Sequence, residues 1–130
     1  MNHQFSAEGP EKLRAQLKEL SNRSPILGAA VFSIEGLPLV SYFHTGIEDA
    51  SLAAMVASIY SVSEQALVEL KQGGMKAIII QGEMGTTLVI SIPGGYLLCV
   101  TAPENAKLGL IFNDAKIVAR KISIELQNFL

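Results

Sequence analysis

Charge is what this chain has little of. Asp, Glu, Lys and Arg make up 17% of its 130 residues, against about 25% in typical soluble domains. Hydrophobic residues make up 49%. That balance favours an oligomer or a permanent partner over a lone monomer, because large exposed apolar surface marks an interface. The ten basic residues are scattered, only Lys116, Arg120 and Lys121 cluster, and the net charge is −2. This excludes the basic stripe that nucleic-acid phosphates need. Cys99 is the single cysteine, so no intrachain disulfide forms. His3 and His44 are the only histidines, and with Cys99 they offer no metal-ligand spacing. Residues 1–9 hold no apolar run, and no uncharged apolar stretch is long enough to span a bilayer. The expectation is a cytoplasmic protein without nucleic acid, metal, cofactor or membrane insertion.

One segment takes the deficit to its limit: Ala50 to Ser63 carries no charge at all. It lies within a helix expected from Ala50 to Lys71, stopped by Gly73-Gly74. At 100° per residue, Leu52, Met55, Val56, Ile59, Ser63, Ala66 and Leu70 share a face that predicts packing on a sheet. Ala53, Tyr60 and Leu67 form a flank, while Ala54, Ala57 and Ser61 lie opposite the stripe. A helix on a small domain should give water a polar face, and this one has none to give. Tyr60, the large side chain of the flank, reads as either core packing or an interface anchor.

The rest of the chain is regular. Residues 1–8 are expected to be a tail and 9–130 one domain. A first helix opens at Gly9-Pro10, turns Leu13, Leu17 and Leu20 inward, and stops at Ser24-Pro25. Strands are expected at Ile26–Ser33 and Leu37–Phe43, joined by a Glu35-Gly36 turn, and Pro38 places the second on an edge. Three strands follow at Met75–Gln81, Thr86–Ile92 and Tyr96–Thr101, joined by glycine turns that make antiparallel hairpins. A last amphipathic helix covers Asn105–Phe129. The order α-β-β-α-β-β-β-α predicts an α+β fold, a five-stranded antiparallel sheet with three helices on its faces.

Chemistry is sparse. Gly82-Glu83-Met84-Gly85 and Pro93-Gly94-Gly95 join strand to strand, whereas a phosphate loop leads into a helix. Cys99, within a strand, reads as a buried structural thiol, and nothing ties it to His44. No catalytic residue is assigned.

The Gly28-Ala29-Ala30-Val31 strand, the Glu35-Gly36-Leu37-Pro38-Leu39 hairpin and the Leu52-Ala53-Ala54-Met55 helix start resemble the Roadblock family. So do the Gly73-Gly74 break, the Leu108-Gly109 pair and the element order, over roughly residues 10–128. Glu35 stands where aspartate is commoner. The resemblance implies a profilin-like or longin-like fold and a side-by-side dimer. In such a dimer the strand corresponding to Met75–Gln81 pairs across the two-fold and the second helices pack together. It also implies a non-enzymatic scaffold or regulator of a small Ras-like GTPase, or a dynein light chain. The expected dimer contacts are Ala53, Tyr60, Leu67, Lys76, Ile78 and Ile80, and the expected partner face is Ala54, Ala57, Ser58 and Ser61. A small-molecule sensor is the alternative; its polar groups would come mainly from Thr86, Thr87, Ser91 and Thr101. An enzyme using His44 is a weaker third reading.

Overall fold

The computed structural model describes residues 8–44 and 46–129. Three helices and five strands follow in order: α1 (Glu8–Arg23), β1 (Gly28–Ser33), β2 (Pro38–Phe43), α2 (Asp49–Glu69), β3 (Ala77–Gly82), β4 (Gly85–Ile92), β5 (Tyr96–Pro103) and α3 (Leu108–Phe129). This is the predicted order. Residues 1–7 of the expected tail lie outside the described residues, and Glu8 already belongs to α1. Asn105 falls in a turn, so α3 starts three residues later than expected.

The sheet runs β2-β1-β5-β4-β3, and every pair is antiparallel. Strand alternation sends its residues to two cores. On one face Leu13, Leu17 and Leu20 of α1 join Ile111, Val118, Ile122 and Leu126 of α3 over Val31, Leu88, Leu98 and Val100. On the other, α2 alone packs over Ala30, Phe32, Val89, Leu97 and Cys99. β1 is buried along its whole length because helices cover both sides of it. Its first residue must be small: a Cβ on Gly28 would stand 2.8 Å from the Phe43 Cα and collide with the Phe43 ring.

The two edges differ. β2 starts at Pro38, and its pairing with β1 shifts register between Val31 and Phe32. A proline and a register break both discourage further strand pairing. β3 has neither, and its register with β4 runs unbroken from Ala77↔Ile90 to Gly82↔Gly85. α2 connects these two edges, so it must cross the sheet.

α2 also ends earlier than expected. The stop is at Leu70, where Gln72 N–H donates to the Leu67 carbonyl at 2.9 Å and Lys71 N–H to Val68 at 3.1 Å. This is a Schellman cap, which places its left-handed residue at Lys71, with φ 57°. Gly73-Gly74 lies beyond the helix end instead of forming it.

Candidate interaction surface

The ends of α2 are tied down. The Ser41 hydroxyl donates to Asp49 Oδ2 at 2.6 Å, and Glu64 Oε2 accepts from Met75 N–H at 2.8 Å. Along the helix Ala53 and Val56 are buried, and Leu52, Tyr60 and Leu67 pack half-buried on the same core. The helix sits close to the β1–β2 turn. Gly36, at φ +97°, passes beneath it, and a Cβ there would lie 3.6 Å from the Ala54 Cα and the Ala57 Cβ.

The expected stripe therefore needs correcting. Met55 is 55% exposed, Ile59 37% and Leu70 63%. The inward face combines Leu52 and Val56 of the expected stripe with Ala53, Tyr60 and Leu67 of the expected flank, so the helix is turned about its axis from the predicted phase. The physical cause is the missing charge: with apolar side chains all round, nothing in the sequence sets the phase. Ala53, at 0% exposure, presents no surface to a partner, and Tyr60 and Leu67 present only part of theirs. Burial pushes the Tyr60 phenol pKa up, and the Glu64 carboxylate adds to the shift.

Of the expected partner face, Ala54, Ser58 and Ser61 are exposed and Ala57 is half-buried against the turn. The Ser58 hydroxyl is occupied, donating back to the Ala54 carbonyl at 3.0 Å. The stripe actually offered outward is Met55, Ile59 and Val62, spaced four and three residues apart. A shallow cleft of about 290 Å³ runs along it, lined by Ser58, Ile59, Val62 and Ser63. By length and hydropathy α2 is the one described helix long and apolar enough to cross a membrane; its inner face packs on the sheet.

β3 continues this surface. Ile78 pairs with Val89 and packs in the α2 core. Ile80 is two residues on, so it points to the same face, and it is 40% exposed. Ile79 faces the other way and is 54% exposed. Lys76, just before the strand, is also exposed.

Other candidate groups are not brought together. Cys99 is fully buried in mid-sheet, between Ala30 and Val89, and burial pushes its thiol pKa up to about 12. His44 is exposed on another part of the molecule, where Nε2 lies 2.9 Å from the Ser21 hydroxyl and the ring meets Tyr42 edge-on. Both glycine clusters close hairpins, β3–β4 and β4–β5. Of the strand hydroxyls considered for a sensor, Ser91 lines a cleft, while Thr86 is buried.

Against known proteins, the family model described as the Roadblock/LC7 domain matches residues 12–102. The chain belongs to that family. It is 29% identical over 106 residues to the protein MJ1340 of Methanocaldococcus jannaschii, covering 82% of this chain and 92% of the relative. MJ0310 of the same organism matches with the same identity and coverage. Among solved structures, an MglB described as having a tetrameric arrangement superposes with a TM-score of 0.89 at 20% identity, covering 94% of this chain and 93% of that one. The gliding protein MglB from Thermus thermophilus gives 0.86 at 18%, covering 92% of each. Profilin IA of Acanthamoeba castellanii gives 0.61 at 10%, covering 88% of this chain and 95% of that one, which identifies the fold as profilin-like.

Proposed function

We propose that the chain forms a homodimer that scaffolds or regulates a small Ras-like GTPase in the cytoplasm and carries out no chemistry of its own. The observation that supports this best is one apolar surface built from two elements. α2 turns Met55, Ile59 and Val62 outward, and beside it β3 ends the sheet without proline, charge or register break. A bare strand edge is a template for another strand, and an identical β3 is the simplest partner. Two copies joined there extend both sheets into one and bring the two α2 helices together. The dimer contacts are then Ile78 and Ile80 with Met55, Ile59 and Val62, flanked by Tyr60, Leu67 and Lys76. Ala53 acts from within, as a small residue that lets α2 sit low on the sheet.

Ala54, Ser58 and Ser61 remain for the GTPase, with Ala57 supporting them from the turn. Small uncharged side chains let a partner's backbone approach closely. Membership of the Roadblock/LC7 family supports the same reading. Ser61→Arg is the variant that tests it, because Ser61 is exposed and Ala57 is held against Gly36. Affinity capture from the source cell should recover a GTPase with the wild-type chain and lose it with Ser61→Arg. Equal recovery by both removes this face from the account.

A further inference from the structure

The cleft that the α2 surface leaves unused lies on the opposite side of the molecule, between α3 and the start of β3. Its volume is about 420 Å³, and its lining includes Lys76, Lys116 and Arg120 together with Ser91 and Ser123. That size lies within the range of small-molecule sites, which run to about 300–1,000 Å³. The floor is apolar, from Met75, Ile90 and Ala119. No acidic residue lines it. Among the described residues, none of the three cations belongs to an ion pair. Lys116 Nζ rests over the Phe112 ring, 4.9 Å from its centroid, a contact that leaves the charge unneutralised. Lys116 and Arg120 are one helical turn apart on α3, so both stand over the same floor.

This arrangement stands out in a chain whose net charge is −2. Three like charges around one cavity repel one another unless an anion joins them. The second cleft, of about 400 Å³ between the end of α1 and the start of α3, provides the contrast: Asp114 lines it beside Arg23 and Lys107, and Arg23 is already paired with Glu19 at 2.9 Å. There the positive charge is answered from within; in the α3–β3 cleft it is not.

We propose that the α3–β3 cleft binds a phosphate monoester attached to a compact apolar body. A phosphate monoester carries about −1.5 to −2 charges near neutral pH and three acceptor oxygens. It therefore answers three cations better than a single carboxylate does. Arg120 supplies a planar fork that suits phosphate oxygens, and the lysines supply mobile point charges. Ser91 and Ser123 supply hydroxyl donors, and Met75, Ile90 and Ala119 receive the apolar body. The site lies across the sheet from α2, and Lys76 is the one residue it shares with the α2–β3 association surface; Lys116 and Arg120 on α3 belong to the cleft alone.

The test is calorimetric titration of the full chain with phenyl phosphate, with sedimentation onto phosphatidylcholine vesicles containing phosphatidic acid as a second arm. Benzoate and plain phosphatidylcholine vesicles are the controls. Saturable binding of phenyl phosphate that inorganic phosphate competes away, and that Arg120→Glu and Lys116→Glu each abolish, establishes a site for a soluble phosphate ester. Binding confined to the phosphatidic acid vesicles, lost in the same variants, establishes the same chemistry on a lipid headgroup. Both residues are exposed, so the variants should retain the wild-type circular dichroism. No saturable binding to either probe overturns the proposal, and so does binding that the variants leave unchanged. Benzoate binding as tightly as phenyl phosphate removes the assignment to phosphate.

Discussion

Lys71→Gly should make the protein more stable, although it removes a charge and a side chain. Lys71 is the only described non-glycine residue with positive φ, at 57°. The left-handed conformation costs an L-residue roughly 1–2 kcal/mol, because Cβ crowds the following carbonyl. Glycine escapes that cost but adds freedom to the unfolded chain, which takes back about 0.4–1 kcal/mol. The net expected gain is about 0.5–1 kcal/mol. Losing the Lys71 charge near a helix C-terminus works the other way by a few tenths of a kcal/mol up to about 1 kcal/mol. Lys71→Ala isolates that contribution, since alanine keeps the Cβ and drops the ammonium. The comparison is therefore between Lys71→Gly and Lys71→Ala, by urea denaturation and by thermal melting at moderate salt. For a domain of this size a gain of about 1 kcal/mol moves the Tm by about 4 °C. A glycine variant no more stable than the alanine variant would refute the assignment of strain to Lys71.

Three further outcomes follow from the packing. Ser24 is buried and its hydroxyl donates to Asp114 Oδ2 at 2.6 Å, joining the end of α1 to α3; Ser24→Ala should cost about 1.5–3 kcal/mol in urea melts, as for other bonds to a charged group. Gly28→Ala should cost about 1–3 kcal/mol through overpacking, and Phe43→Ala should rescue it only in part, because it removes the collision with the ring and leaves the contact at 2.8 Å with the Phe43 Cα. With its pKa pushed from 9.0 up to about 12 by burial, the Cys99 thiol should resist alkylation in the folded protein at mildly alkaline pH and react on unfolding. The folded state then holds the proton that the unfolded state releases. Stability from this group is complete below about pH 9 and is lost as pH rises toward 12, at roughly 1.4 kcal/mol per pH unit. Cys99→Ala should flatten that slope.

The parts of this fold legible in the sequence are those with a strong local contrast. Leu13, Leu17 and Leu20 face inward as expected because charged residues mark the opposite face of α1, and the same contrast makes α3 legible as an amphipathic helix. Pro38 marked an edge strand, and the glycine turns marked the β3–β4–β5 meander. α2 was legible as a helix and as an anomaly, yet its rotation was not, for the same reason it was anomalous. The small Ala54 and Ala57 mark the side of α2 that passes over the Gly36 turn, and Met55 and Ile59 are too large for that approach. The cap at Lys71 was hidden because a left-handed residue is expected to be glycine, and Gly73-Gly74 stood two residues downstream. The α3–β3 cleft was beyond local reading altogether. Lys76, Ser91 and Arg120 meet only because β3 and β4 pair and α3 returns across them.

The self-association surface is tested most directly by sedimentation equilibrium of the chain alone, alongside Ile59→Glu. Ile59 is exposed in the protomer, so the variant should fold as the wild type does. The account predicts a wild-type mass of two 13.9 kDa chains throughout the micromolar range, and a single 13.9 kDa chain for the variant. A wild-type chain that sediments as one 13.9 kDa protomer at every concentration would contradict it.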